Sequence, residues 1–599
     1  MGADTIPSRF LSQAVLRPEA PAFFVKDGDR WRATRWRDYV AEARRCARAL
    51  LQEGVGPGQG VAMLGFNRPE WVITDHAAMM VGAAPVGIYT TCSSEEVQYI
   101  LAHAECSVVV LEDRAQWEKV RSQRDKLPAL RRVVLMRGAA PVDDPLVITW
   151  EAFLAAGEPV PERDVDDRVA ALEPAGLATL IYTSGTTGPP KGVMLSHRNL
   201  AWTAGEAAKL TDASHVDVML SYLPLSHIAE QMFSVHAAAT LGYAIYFAES
   251  IERVPDNVRS VQPTIFFGVP RIWEKFHTGV SGKLKDAKGA KAALVAWARD
   301  VATRAHDRLD RGQAVPLPLR LQLALARTLI FDKLKPLLGM GRARLCVSGA
   351  APLGDDVIRF FRSLDLPIRE VYGQSEDTGP TTFNFPHRTR VGTVGAPLAG
   401  VEVKIADDGE ILVRGPNVFL GYFKDPAATA ATLQDGWLHS GDLGAFDGEG
   451  FLSITGRKKD ILITSGGKNI TPKNIEAAIK SCDLVGEAVL IGDRRNYLTA
   501  LITLDPEGVA RFARSRGMDP AKLAAEAHTD GDVRAEIQRH VDGVNATLAR
   551  VETVKKFALL PRAFTQEDGE LTPTLKVKRA RVYANWSDEI EALYTQGEA

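Results

Sequence analysis

Apolar and polar positions follow two periods along the chain, and the change from one to the other marks its elements. Trp36–Glu53 carries apolar residues at helical spacing and stops at Gly54. Val61-Ala-Met-Leu64 then forms a short, unbroken apolar run, as expected of a strand buried on both faces. Val108–Leu111, Val133–Leu135 and Thr179–Tyr182 repeat this pattern between helical stretches. Strands alternating with helices predict an α/β fold with mostly parallel sheets. Two uncharged runs, His76–Ser94 and Gln231–Ala248, approach the roughly 20 residues that span a bilayer. Gly82, Pro85 and Gly87 interrupt the first, and the second reads as a helix, Gly242 and a strand Tyr243–Phe247. Both are expected as buried core.

After Gly400 the period shortens. Val401–Ile405, Glu410–Val413 and Phe451–Ile454 read as antiparallel strands with Gly-rich turns, a β-rich part at about 385–455. Gly456-Arg-Lys-Lys-Asp460 then opens a final segment as a candidate hinge, which divides the chain into 1–458 and 459–599. Residues 281–340 stand apart as a helical insertion. Lys283–Arg311 holds eight basic and four acidic residues, and Leu294, Trp297, Val301 and Ala305 share a helical face. Such a face either packs on the body or meets a membrane surface or partner.

Composition narrows the function. Among 599 residues, 72 Lys and Arg balance 74 Asp and Glu, which argues against chain-wide attraction to nucleic acid. Five scattered cysteines with no CxxC argue against a disulfide framework or zinc cluster and suit a reducing cytosol. Asp4 and Arg9 precede any apolar run, so no signal peptide is read, and Ile6 breaks the myristoylation pattern. A cytoplasmic location is expected, with peripheral membrane contact through 281–340 left open and no transmembrane segment. The Gly54–Gly60 cluster follows a helix and precedes a strand, the reverse of a dinucleotide fingerprint.

The chemistry concentrates in Leu180-Ile-Tyr-Thr-Ser-Gly-Thr-Thr-Gly-Pro-Pro-Lys-Gly192. A strand enters a loop of hydroxyls and glycines closed by Lys191. Backbone N–H groups, hydroxyls and one ammonium are what a polyphosphate requires. Gly192 after the lysine excludes a Walker A loop.

This stretch resembles the signature loop of the adenylate-forming superfamily, which includes acyl-CoA synthetases, luciferases and peptide-synthetase adenylation domains. Seven more segments follow in the same order: Leu223–Glu230, Ser348–Leu353, Val371–Glu376, Gly415–Tyr422, Gly436–Leu443, Gly456–Thr471 and Leu571–Lys576. The nearest likeness is the long-chain acyl-CoA synthetase branch, in particular its actinobacterial fatty-acid–CoA ligases. It rests on the insertion, on Val269-Pro-Arg-Ile-Trp273 and on the Thr-Leu-Lys ending. The resemblance implies a large N-terminal region of two α/β sheets and a small β-barrel, followed by a mobile α+β lid. It also implies a reaction in which ATP and a fatty acid give an acyl-adenylate and pyrophosphate, after which coenzyme A displaces AMP.

The resemblance further implies roles. Thr183, Ser184, Gly185, Thr186, Thr187, Gly188 and Lys191 would bind the nucleotide's phosphates. Glu376 would hold Mg²⁺, and Ser375, standing where Thr is common, would meet the α-phosphate. Gly349, Ala350 and Ala351 would line the adenine plane and Tyr372 would stack on the base, with Gly373 and Gln374 also in the nucleotide site; Asp442 would accept from both ribose hydroxyls, and Arg457 would add a contact to the ribose. Lys576 would bridge the substrate carboxylate and α-phosphate, with charge developing on both. Lys459 would be the hinge, and Ser465, Gly466 and Gly467 the passage for the pantetheine arm. His227 would stand where the acyl chain enters, and Trp273 would gate its tunnel. Competing expectations are a fatty-acyl-AMP ligase serving a carrier protein, a ligase for bulky acids, and a silent lipid-binding protein. The unbroken Gly456–Thr471 run argues against the first.

Overall fold

The computed structural model describes residues 3–183, 189–285, 288–466, 468–572 and 576–595. The chain forms two compact units. One comprises 1–404, 412–440 and 447–452; the other comprises 405–411, 441–446 and 453–599.

The largest sheet of the first unit has eight strands. Their order is Gly421–Tyr422, Lys191–Ser196, Leu177–Thr183, Ala84–Ile88, Gly60–Leu64, Val108–Leu111, Arg132–Leu135 and Val147–Thr149. From Leu177–Thr183 onward each pair is parallel, whereas Lys191–Ser196 and Gly421–Tyr422 join antiparallel. The unbroken apolar runs have their physical reason here, since Gly60–Leu64, Ala84–Ile88 and Val108–Leu111 are buried throughout. Val97, Ile100 and Leu101 of helix Ser94–His103, with Trp117 and Val120 of Arg114–Arg121, pack onto Leu64, Val86, Val109 and Val133.

Two sheets were expected, but the second layer comes in two parts. Four strands run Val218–Ser221, Ala244–Phe247, Pro21–Asp27 and Arg30–Arg35. Five run Ile265–Gly268, Leu345–Ser348, Ile368–Tyr372, Thr382–Phe383 and Ala396–Pro397. The parts meet at Thr264, whose N–H donates to Val218 O at 3.0 Å before its strand pairs with Leu345–Ser348 instead.

Both uncharged runs lie in the core. Helix Pro69–Met80 turns at Gly82, with φ +79°, into strand Ala84–Ile88. Ile228–Leu241 is helical, with a widened turn at Met232–Ala237, and ends at Gly242, also at φ +79°, before Ala244–Phe247. Among the described residues no helix is long and apolar enough to cross a membrane.

The insertion contains helices Gly289–Leu309, Leu317–Ala326 and Asp332–Leu337, with a wider turn at Arg327–Phe331. Its buried stripe is Ala298, Val301, Ala302 and Ala305, packed on Leu323, Ala326, Phe331 and Leu364. The expected face is therefore rotated: Leu294 is 36 % exposed and Trp297 only flanks the cluster. Val301 and Ala305 of the expected face are buried, and Ala298 and Ala302 stand in the stripe where Leu294 and Trp297 were expected; alanines admit closer helix approach. The β-rich part forms a five-stranded sheet. Glu402–Ile405, Glu410–Arg414, Trp437–Phe446 and Leu433–Gln434 follow in that order, and Leu452–Arg457 pairs with Trp437–Phe446.

In the second unit, strand Leu498–Leu504 lies between antiparallel Val485–Ile491 and parallel Val554–Leu559. Period-two alternation divides its side chains between two cores. Leu490, Leu498, Ala500 and Ile502 meet Ile475, Ile479, Val533 and Ile537 of the helices on one face. Val489, Ile491 and Leu501 meet Val582, Trp586 and Ile590 of the last two helices on the other.

Candidate active site

In the first unit the strands on either side of the signature loop pair with each other. Leu177–Thr183 and Lys191–Ser196 pair antiparallel, with Thr183 opposite Lys191 and Tyr182 opposite Gly192. Ser184–Gly188 lie outside the described residues. The short strand Gly421–Tyr422 adds to the hairpin with Tyr422 opposite Val193. This pairing sets the Tyr422 ring beneath Lys191, whose Nζ lies 4.7 Å from the ring centroid. The Tyr422 hydroxyl donates to Glu376 Oε1 at 2.9 Å. Burial and the adjacent Glu376 charge raise the Tyr422 pKa, so the phenol remains a donor. Lys191 and Glu376, 185 residues apart in sequence, thus share one intermediary. Sequence reasoning missed Tyr422, whose one signal is that it closes the motif Gly415–Tyr422.

The turn carrying Glu376 is built tightly. A Cβ on Gly373 would stand 1.4 Å from Gly379 O, so only glycine fits. Asp377 accepts from Gln374 N at 2.5 Å, and Gly379 N donates to Gln374 O at 2.8 Å. Asn417 Nδ2 donates to Asp377 O, and Phe419 N donates to Glu376 O. Gln374 Nε2 donates to Ser440 O at 2.9 Å, while Ser375 is buried and its carbonyl accepts from Thr378 N. The proposed base-flanking loop leaves strand Leu345–Ser348. A Cβ on Gly349 would meet Val371 Cγ1 at 2.6 Å, and Ala350 has φ +67°. Ala350 and Ala351 are exposed, while Tyr372 is buried at the end of its own strand. Ser348 Oγ, immediately before this loop, is buried with no partner among the described residues.

His227 caps helix Ile228–Gln231, its Nδ1 accepting from Ala229 N at 3.1 Å; the neutral ring then carries its proton on Nε2. Glu230, fully buried, is raised to about 7 by desolvation while accepting from Ser234 Oγ and Leu223 N. Trp273 is a core side chain. It is fully buried, edge-on to Phe266 and Phe361, and its indole N–H is shared between Gly268 O at 3.1 Å and Val347 O at 3.2 Å. Acting as a gate would require it to leave both acceptors.

In the second unit, Asp442 is buried and paired with Arg457 Nε at 2.8 Å. Beside them, burial and the Arg457 charge lower the Lys473 pKa, a neighbour that sequence reasoning missed. Lys458 Nζ pairs with Asp408 at 2.5 Å and Glu410 at 3.1 Å, and Lys459 follows in the single turn Lys458–Asp460. Ser465 N donates to Arg495 O and Ser465 Oγ bonds Asn496. A Cβ on Gly466 would meet only Thr464 Oγ1, at 4.0 Å, so the fold itself does not demand glycine there. Gly467 is outside the described residues.

Lys576 is exposed on a narrow loop. Its N–H donates to Thr572 Oγ1 at 3.0 Å, its carbonyl accepts from Thr572 N at 2.8 Å, and Leu571 bridges Val577. The loop stands on fully buried Glu570, which accepts from Arg562, Trp586 Nε1 and Asn585. Burial pushes that carboxyl up, but Arg562 and the other donors outweigh it and leave the pKa lowered.

The AMP-binding enzyme family profile matches residues 10–423, and the profile of the AMP-binding enzyme C-terminal domain matches 459–598. The chain is 36% identical over 610 residues to long-chain-fatty-acid–CoA ligase ACSBG2 of Xenopus laevis, covering 96% of this chain and 81% of that one. It is 37% identical over 571 residues to long-chain-fatty-acid–CoA ligase FadD15 of Mycobacterium tuberculosis, covering 94% and 93%. Among solved structures, the anthranilate CoA ligase AuaEII in complex with anthranoyl-AMP matches with TM-score 0.70 and 21% identity, over 97% of each chain. At that identity the likeness concerns the fold.

Proposed function

The chain belongs to the AMP-binding enzymes, among the long-chain-fatty-acid–CoA ligases, and on that premise we propose that it joins a long-chain fatty acid to coenzyme A at the expense of ATP. The carboxylate attacks the α-phosphorus and releases pyrophosphate. The thiol then attacks the acyl carbonyl and AMP leaves. The observation that carries this proposal is the Lys191–Tyr422–Glu376 arrangement, which sets a cation and a carboxylate on one phenol beside the hairpin tip.

In this scheme Thr183 and Lys191 hold the phosphates with the hairpin tip, and Gly349–Ala351 and Tyr372 receive the base. Asp442, oriented by Arg457, accepts from the ribose. Glu376 suits Mg²⁺, a hard cation that takes one or two carboxylates with phosphate oxygens and water, and that ion would neutralise the phosphates. Lys576 stabilises the charge developing between carboxylate and α-phosphate. The functional division falls at 458/459. Residues from 459 onward turn about Lys459 between half-reactions, withdrawing Lys576 and presenting Ser465–Gly467 to the pantetheine arm.

The test is AMP release with ATP, coenzyme A and a panel of acids from short to very long. Each buried methylene contributes about 0.8 kcal/mol, so kcat/KM should rise through the long-chain acids. No AMP with any fatty acid would leave a silent binder. Acyl-AMP formation without transfer to coenzyme A, but with transfer to a carrier protein, would make the chain an acyl-AMP ligase.

A further inference from the structure

The insertion's inner face is accounted for by packing, but its outer face is not. Leu317, Leu321, Leu325 and Leu329, spaced by four, are 65%, 63%, 51% and 37% exposed. The first three stand on helix Leu317–Ala326, where a spacing of four keeps side chains in one row. Leu323 and Ala326, on the opposite side, are buried in the insertion's core. Pro318 and Ala324 are exposed on this helix too, and Leu337, at the end of the next, is 67% exposed. Isolated exposed leucines are ordinary, whereas a row of them on one helix marks a contact surface.

Charge selects the partner. Arg311–Arg344 contains seven basic residues and one acid, Asp332. Some of these cations are matched elsewhere: Arg327 and Lys335 pair with Asp365, and Arg344 pairs with Asp217. Arg311, Arg320 and Lys333 are exposed, with Arg320 on the leucine helix itself. An apolar row accompanied by unopposed cations fits an interface of acyl chains below and anionic headgroups above. A helix of 10 residues lies along such a surface and does not span it.

We propose that helix Leu317–Ala326 is a membrane-surface anchor, its leucine row entering the headgroup boundary of an anionic bilayer. The proposed ligase activity supplies a reason, since long-chain acids partition into bilayers, but the anchor does not depend on that activity.

The test is flotation of the full chain with phosphatidylcholine vesicles, with and without phosphatidylglycerol, in the absence of ATP, coenzyme A and fatty acid. The wild type should float with the anionic vesicles, and added salt should weaken the association. The triple variant Leu317→Ser, Leu321→Ser, Leu325→Ser should lose at least tenfold in vesicle partitioning, Arg320→Gln should lose less, and Leu321→Trp should gain. Leu16→Ser, at another exposed leucine, should change nothing. Thermal melting and turnover of a short, water-soluble acid should stay as in the wild type for all of them. Three results would overturn the proposal: no flotation of the wild type with either vesicle, flotation of the triple variant equal to the wild type, or a wild-type dimer that the triple variant dissolves. The last would assign the row to a second copy of this chain. Failure of the AMP-release assay would leave the vesicle result standing, so the two proposals fail separately.

Discussion

Replacing Tyr422 by Phe removes one oxygen and leaves the ring in place. The Lys191 ammonium, 4.7 Å from the ring centroid, keeps its aromatic neighbour. The backbone pairing of Tyr422 with Val193 is also kept. What is lost is the 2.9 Å hydrogen bond to Glu376 Oε1. A hydrogen bond to a charged group is worth about 1.5–3 kcal/mol when its partner is removed. If all of that energy serves to orient the carboxylate in the transition state, kcat/KM for ATP falls roughly 10- to 150-fold. Tyr422→Leu should fall further, by the roughly 0.5–2 kcal/mol of a cation–π contact. ATP–pyrophosphate exchange measures the first half-reaction alone. A double-mutant cycle with Glu376→Ala, which removes the acceptor, isolates the pair, and Tyr422→Phe should cost little once Glu376 is changed. Exchange by Tyr422→Phe within twofold of wild type, or strict additivity in the cycle, would refute the claim that this phenol positions the carboxylate.

Other outcomes follow from the same structure. Lys576→Ala should abolish acyl-AMP formation yet spare thioester formation from supplied acyl-AMP; equal loss of both steps in single-turnover assays would remove its step-specific role. Lys459→Pro, by restricting the backbone at the turn, should impair the second half-reaction more than the first, and an unaffected second step would count against the hinge. Trp273→Ala should destabilise the fold by about 3–5 kcal/mol in chemical denaturation, as for a large buried aromatic; an unchanged midpoint with altered chain-length preference would instead favour a gate. Asp365, buried among His306, Arg327 and Lys335, has its pKa lowered: burial opposes this, but the cations prevail. A lowered folded-state value means its stabilisation is present above the ordinary carboxylate range, near 3.9, and is lost as pH falls through the folded value. Asp365→Asn should therefore cost about 3 kcal/mol at neutral pH and flatten the acid limb of a stability-versus-pH curve.

The parallel sheet was legible because strands buried on both faces cannot alternate; Val108–Leu111 is apolar throughout and falls where expected. The insertion's inner stripe was half legible: Val301 and Ala305 are buried as expected, but Ala298 and Ala302 complete the stripe while Leu294 faces outward, because small alanines give no apolar signal as strong as a leucine's. Thr264 joins the two parts of the second layer through its N–H and hydroxyl bonds to Val218 and Asp217, a link with no periodic signature. Lys191 and Glu376 were legible from their local motifs. Tyr422 was not, because its place beside them depends on a two-residue strand joining a hairpin more than 200 residues earlier in the chain. Glu570 was hidden for a similar reason, since Arg562 and Trp586 hold it only once the last helices have folded back.

The back-and-forth path of the chain limits how the protein can be cut. The second unit takes up 405–411 and 441–446 before it receives everything from 453 onward. Lys458 is held by Asp408 and Glu410, and Gly444 N donates to Gly409 O. A recombinant fragment starting at Lys459, where the C-terminal family profile begins, would forfeit Asp442 and leave Arg457 behind with it. Excising that profile span would therefore separate the Asp442–Arg457 pair from the rest of its own unit. Chimaeras between relatives should be spliced with all three segments taken from one parent.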